Sequence, residues 1–365
     1  LLYASMFSLP AILIIQLPAR FRLKNLHIKT GFFKSEWLQL MQTVLMIGVL
    51  VYCLFYNYEE KTTLQHKIEI DKLAYERKWD ELLIQANNIN IDDRVIQFQV
   101  NRALYFTGDM TERLFEYPQQ WGLDGLFLTR YFSDDMLLPS TELFFDLAYI
   151  NEAIHYGNEA IAQKENSPYL IEQLILANLV SQKNDAAQLY INVLKDFPVF
   201  RAKAKMYDDY LKGKDIPEID EIVKEKRALM PFTDFKVNRK TPSEDLLNLF
   251  ADHPQNKMAY EYLMSCFLLE NDIASFVKYY SIGRKLKYEK VPTLFQQALV
   301  LYSYELSRKG RSIGNFRLDK DIVGQFNEYI SIMEKNEGNK EAAMDELYEK
   351  FGSTYWFYVH YNSPI

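Results

Sequence analysis

Residues 37–58, WLQLMQTVLMIGVLVYCLFYNY, run for 22 positions without a formal charge. A helix that is apolar on every face has nothing to offer water on any side. This one is long enough to cross a hydrocarbon core of ~30 Å. Trp37 at one end and Tyr56 and Tyr58 at the other suit the two interfaces, where amphipathic rings collect. The stretch is therefore expected to be a transmembrane helix, and everything else in the chain must be placed around it.

A second apolar run, residues 1–17, LLYASMFSLPAILIIQL, is interrupted by Pro10. It lacks the basic start and small-residue cleavage site of a signal peptide, so it is expected to be a truncated transmembrane helix. Beginning at Leu1 inside an apolar run, the chain is expected to lack upstream sequence. The loop between the runs, 19–36, carries Arg20, Arg22, Lys24, Lys29 and Lys34 against Glu36. Short loops rich in Lys and Arg stay on the cytoplasmic side, and these five would attract anionic lipid headgroups. Residues 1–58 are then a membrane region in a bacterial inner membrane. Everything after residue 58 lies in the periplasm.

Beyond Glu59 apolar residues recur at three and four, the helical interval. Leu64, Ile68, Leu73 and Ala74 make one face, then Trp79, Leu82, Leu83 and Ala86 the next. Breakers and polar turn residues separate the segments at Gly108–Asp109, around Ser167, at Asn184–Asp185 and at Asn271–Asp272. Gly 13 and Pro 12 are too few for a turn-rich β fold.

In SQKNDAAQLYINVLKDFP, Ala186, Tyr190, Val193 and Pro198 stand at +4, +3 and +5. Small residues let helices approach, an aromatic fills the gap and Pro stops the helix. Thirty-three residues earlier, INEAIHYGNEAI puts Ala153, Gly157 and Ala160 at the same +4 and +3. Both resemble the second helix of a tetratricopeptide repeat. ERKWDELLIQA, LYFTGDM and HPQNKMAYEYLMSCFLLENDIASF resemble further turns and hairpins of that kind. With ALYFTGDMTERLFEYPQ, INEAIHYGNEAI and HPQNKMAYEYLM, the layout also resembles a bacterial family that has several N-terminal membrane helices and a tetratricopeptide-like periplasmic tail. That resemblance brings no activity with it. The expected fold is all-α: transmembrane helices followed by a tetratricopeptide-like α-hairpin solenoid, with halves at 59–211 and 247–365. Between them, 212–246 holds Pro217, Pro231 and Pro242 in dense mixed charge and is expected to be an irregular crossover, docked by Leu229, Met230, Phe232 and Phe235.

No catalytic motif is legible. The five histidines, His27, His66, His155, His253 and His360, are scattered and form no metal-ligand spacing. His155 with Glu152 and Glu159 reads as a solvated helix face. The acid pairs Glu59–Glu60 and Asp134–Asp135 diverge if helical and make no dyad. Gly-rich phosphate loops and nucleophile elbows do not occur, so no cofactor and no metal are expected. A net charge of -7 argues against nucleic acid. Cys53 and Cys266 are too differently placed to pair.

A solenoid presents a concave groove for a partner, with Tyr260, Tyr262, Asn101 and Asn178 as candidate contacts. The C-terminal FGSTYWFYVHYN, with Tyr355, Trp356, Phe357, Tyr358 and Tyr361, is expected to cap the last hairpin, with Trp356 also a candidate for an exposed partner surface. The expected function is a membrane-anchored scaffold that binds protein partners of the cell envelope. The alternative is the repeat tail of a polytopic membrane enzyme, such as a lipid-dependent glycosyltransferase, whose catalytic part lies upstream.

Overall fold

A computed structural model describes residues 36–128, 136–164, 166–233, 241–311, 316, 318–336 and 339–362, the side chains at 36–40, 42, 50, 53–63 and 362 excepted. Leu1–Leu64 and Gln65–Ile365 form separate units. Among the described residues every regular element is helical, as the three-and-four spacing requires.

Helix α1, Glu36–Tyr75, runs through the boundary between the units. In the first unit Met41, Leu45, Ile47 and Tyr52 are exposed by 57–69%, while Met46 is half-buried. Among the described residues no helix is long and apolar enough to cross a membrane. The span expected at 37–58 therefore gains no support from the structure. The apolar run 1–17 and the basic residues Arg20, Arg22, Lys24, Lys29 and Lys34 lie outside the described residues, as do Asp134, Asp135 and Phe235.

The second unit is built from helical hairpins. α2 (Trp79–Ala86) packs on α3 (Arg94–Thr107), which is followed by the single turn α4 (Met110–Arg113). α5 (Leu137–Asp146) packs on α6 (Ile150–Ala162), and α7 (Pro168–Val180) on α8 (Asn184–Leu194). Next come α9 (Arg201–Leu211) and α10 (Pro217–Leu229), then the pair α11 (Pro242–Asp252) and α12 (Lys257–Leu269), and α13 (Ile273–Tyr280). The chain ends with α14 (Thr293–Arg308), α15 (Lys320–Lys335), α16 (Lys340–Phe351) and the short α17 (Tyr355–Phe357).

Two kinds of helix alternate. α3, α5, α7, α12 and α14 are inner helices: Val95–Leu104, Leu170–Val180, Met258–Leu269 and Leu294–Leu301 are buried without a break. α2, α6, α8, α13 and α15 bury one stripe each. Ala153, Gly157 and Ala160 are the stripe of α6, as expected. In α8 the stripe is Ala187, Ile191 and Leu194, 34 residues after its counterpart. Ala186 and Tyr190 are only half-buried, and Val193 and Pro198 are exposed, so the expected register was one residue short. The face expected on α1 is also displaced: Ile70 and Ala74 are buried while Leu64 and Ile68 are exposed. Trp79, Leu82, Leu83 and Ala86 are the buried stripe of α2.

Among the described residues the same turn closes seven helices. After α5, Ala148 N donates to Phe145 O and Tyr149 N to Phe144 O, with Ala148 at φ +63°. Arg77, Gly108, Gln182, Gly213, Asn271 and Gly310 repeat that left-handed residue and bond pattern, which satisfies carbonyls that a helix end leaves free. The stretch 212–246 is not irregular throughout. Pro217 opens α10, whose Ile219, Val223 and Lys226 form a buried stripe packed on α7. Leu229 and Met230 are half-buried and Phe232 is 77% exposed, its ring against His253. Dense surface charge had masked an ordinary amphipathic helix.

The C-terminal aromatic segment is a cap. Tyr355, Trp356, Phe357 and Tyr358 are buried, Trp356 Nε1 donates to Gln297 O at 2.9 Å and Tyr358 Oη to Leu269 O at 2.9 Å.

Two glycine substitutions separate turn strain from packing. A Cβ on Gly108, at φ +82°, meets nothing within 4 Å, whereas one on Gly157 lands 2.6 Å from Leu174 Cδ2. Gly108→Ala is expected to lower stability by about 1 kcal/mol through backbone strain alone. Gly157→Ala should cost ~1–3 kcal/mol as α6 is pushed off α7. Urea unfolding with unchanged slopes tests both.

Candidate functional site

Six polar side chains meet near the C-terminal end of α5. The Arg102 guanidinium, on α3, lies between the rings of Trp79 and Phe98 at 5.4 and 5.8 Å from their centroids. Its Nη1 donates to Glu142 Oε2 at 2.6 Å and to Gln99 Oε1 at 2.8 Å, and its Nη2 to Asp146 Oδ2 at 2.7 Å. Arg77 sits in the left-handed turn after α1, and its Nη2 donates to Asp146 Oδ1 at 2.9 Å. Lys226, on α10, donates to the backbone oxygen of Asp146 at 2.9 Å.

Burial pushes the Glu142 carboxyl up, and Arg102 only partly offsets it. Burial acts on Asp146 too, but Arg77, Arg102 and Lys226 outweigh it and hold that carboxyl below its ordinary range. The two acids face one cation yet split, because Asp146 collects more positive charge. Nearby, burial raises the Asp71 carboxyl to about 6, against the hydrogen bond it accepts from Gln99 Nε2 at 3.0 Å; Glu142 and Asp93 add to the rise and Lys67 opposes it.

A second cluster surrounds Glu172 on α7. Tyr75 Oη donates to Oε2, Tyr207 Oη to Oε1 at 2.8 Å, and Lys203 Nζ lies 2.9 and 3.0 Å from the two oxygens. Burial, then the Glu172 carboxylate, raises the Tyr75 and Tyr207 hydroxyls, so both stay protonated and act as donors. Tyr75 also packs its ring 3.9 Å from that of Tyr169.

The two clusters border one cavity of about 660 Å³. α1 and its turn supply Tyr75, Arg77 and Lys78, α7 Glu172 and Gln173, α9 Lys203 and Tyr207, and α10 Ile222, Glu225 and Lys226. Arg77, Lys78 and Lys203 keep 49, 48 and 47% of their side chains in solvent, so three cationic heads stand at the mouth. Gln173 Oε1 is buried with no hydrogen-bond partner among the described residues. Donors, a free acceptor and cations converge from four helices, an arrangement chemically suited to polar and acidic groups.

The candidates drawn from the sequence lie elsewhere. Asn101 is fully buried, and its Nδ2 donates to Gly125 O at 2.9 Å and Gln119 Oε1 at 3.2 Å, tying down the segment after α4. Asn178 is buried and donates back to Leu174 O at 2.7 Å. Tyr260, Tyr262 and Trp356 are at most 1% exposed. None of the five has surface for a partner, because they sit on inner helices or the terminal cap, which are covered all round. His155 is exposed with Glu152 and Glu159 half-buried beside it on α6, and among the described residues no three or more His, Cys, Asp or Glu gather as a metal set. Sequence reasoning missed Tyr75, Arg102, Glu172 and Lys203. The available signal was Glu142 and Asp146, one turn apart on a helix that is otherwise uncharged.

Two measurements probe the clusters. Arg102 is 2% exposed, and losing its acid partner leaves a buried charge, so Asp146→Ala is expected to cost ~3–5 kcal/mol. For Asp71 the folded state binds its proton more tightly than the unfolded chain. Stability from this group is therefore greatest below its unfolded value of 3.8 and falls as pH rises through about 6. Asp71→Asn should stabilise the protein by ~3 kcal/mol at pH 8, and the gain over the parent should vanish near pH 4. Equal gains at both pH values would refute the assignment.

No curated protein and no solved structure matches this chain. A family profile does, over residues 1–362, and the chain belongs to that family, the family of unknown function DUF6057.

Proposed function

We propose that this chain is a binding scaffold of the bacterial cell envelope, a tetratricopeptide-like stack of hairpins that captures a protein partner. The observation that carries this reading is the cavity bordered by Arg77, Lys78, Glu172, Gln173 and Lys203. Its polar groups come from separate helices, and Arg77, Glu172 and Lys203 are held by ion pairs and hydrogen bonds that involve buried acids, so these three are organised before any partner arrives, which lowers the cost of association. The 34-residue interval between the buried stripes of α6 and α8 supports the repeat reading, since stacked units of that period build extended binding surfaces.

The membrane part of the proposal rests on the uncharged sequence 37–58 and on the basic residues Arg20 to Lys34. Anchoring by residues 37–58, with the hairpins in the periplasm, would confine the cavity to the bilayer surface and raise its effective concentration for partners there.

Photoreactive residues introduced in cells at Ile222 and Lys203, in the cavity, and at Leu189, 67% exposed on α8, test the capture. Adducts with one discrete protein from the first two positions and none from the third are expected. Identical labelling from all three, or none, would remove the cavity as the docking point. A protease on the cytoplasmic side of intact vesicles should leave the chain after residue 58 uncut. Cleavage there would overturn the periplasmic placement.

A further inference from the structure

A second cavity, of about 220 Å³, opens between α12, α13 and the start of α14. Its walls are aromatic. The rings of Tyr260, Tyr280 and Tyr288 stand at 84°, 85° and 75° to that of Phe295, with centroids 6.1, 6.2 and 6.3 Å away. Two hydroxyls are turned away from the space: Tyr260 Oη donates to Tyr280 O at 3.0 Å and Tyr288 Oη to Glu261 Oε1 at 2.9 Å. The ring surface open to the cavity is therefore that of the half-buried Tyr280 and Tyr288, with Tyr260 and Phe295 packed behind them. Gly283 closes one side because nothing larger fits, since a Cβ there would lie 2.1 Å from Tyr260 Cζ.

Its mouth is basic. Arg284 and Lys287 line it, and the same loop holds Lys285 and Lys290 against the single acid Glu289. Among the described residues neither Arg284 nor Lys287 is held by a carboxylate. The buried acid beneath the cavity, Glu261, is already engaged by Lys257 at 3.3 Å. An aromatic box by itself favours a cation. Here two cations at the entrance oppose one, and an acid on the guest would meet them instead.

The geometry points to a binding site for a small planar aromatic group that carries an acid. The rings take up the aromatic body, and Arg284 and Lys287 hold the carboxylate or phosphate. The volume suits one aromatic ring system and no more. Nothing in the site depends on the cavity around Glu172 and Lys203, and the two can fail separately.

Ligand-observed NMR on the full chain in mild detergent, with three probes sharing one ring system, tests the assignment. Indole-3-acetate is expected to bind at least tenfold more tightly than neutral indole, and cationic tryptamine least of all. The double variant Arg284→Glu/Lys287→Glu changes only exposed side chains and should reverse the order of the two charged probes. Gly283→Ala should weaken all three, with thermal melting run alongside to show that the variant is folded. Native preference for tryptamine, or an unchanged order in the charge-reversed variant, would overturn the site. A blocked Asp-Trp-Asp tripeptide separates the sources: tighter binding than the free acid supports an acidic peptide segment, and weaker binding supports a free aromatic acid.

Discussion

A helix buried around its whole circumference cannot be satisfied by one neighbour. Ten successive residues of α3, eleven of α7 and twelve of α12 are out of water, and each helix therefore needs cover on every side. The outer helices bury single stripes against them, and inner helices touch one another, α3 on α5 and α5 on α7. Burial of each large apolar side chain contributes ~1.5–3 kcal/mol, but it imposes a condition. Every polar group on an inner helix must find its partner inside the protein, since an unmet one costs ~1–3 kcal/mol. Gln97, Asn101 and Gln119 bond to one another, Asn256 donates to Leu147 O at 3.0 Å, and Gln297 accepts from Tyr355 N at 2.9 Å. Buried polar residues thus become cross-links between segments far apart in the chain, and Arg102 with its two acids is the most heavily charged of them.

The turns belong to the same economy of satisfied groups. Each left-handed residue redirects the chain in about three residues and closes two carbonyls of the helix it ends. Arg77, Ala148, Gln182 and Asn271 accept a backbone region that favours glycine, which shows how firmly the flanking helices fix their positions. At Arg77 the turn does more, because it projects the guanidinium toward Asp146 and brings Trp79 over Arg102. A backbone motif that recurs along the chain is here one wall of the cavity.

Much of the fold was legible. The all-helical class and the stripes Trp79–Leu82–Leu83–Ala86 and Ala153–Gly157–Ala160 follow from spacing alone. The slip in α8 has a simple origin: in DAAQLYINVL both Ala186–Tyr190–Val193 and Ala187–Ile191–Leu194 read +4 and +3 with suitable residues, and only packing chooses. Asn101, Asn178, Tyr260 and Tyr262 were assigned to an open concave face, yet helices apolar on all sides have no such face. The cavity was illegible for another reason. Tyr75 and Lys203 are 128 positions apart and meet on Glu172, and each alone looks like an ordinary surface residue.

The cationic character of the cavity around Glu172 and Lys203 has a structural cause before any functional one. Helix C-termini carry partial negative charge and free carbonyls, and α10 supplies the cations that answer them. Lys226 reaches Asp146 O, and Arg227 donates to Val180 O at 3.1 Å and Leu179 O at 2.9 Å. These contacts hold α10 across the ends of α5 and α7 and so keep the cavity walled. The three heads at the mouth stand differently. Arg77 is committed to the buried Asp146, but Lys78 pairs with the solvent-facing Glu76 and Lys203 is half in water. An exposed ion pair is worth ~0–1 kcal/mol, so an incoming carboxylate can take Lys78 from Glu76 at little cost while the buried pairs stay intact. Rigid charges and exchangeable ones are thus separate residues, and Lys78 can change its ion-pair partner without disturbing the buried pairs that hold the cavity open.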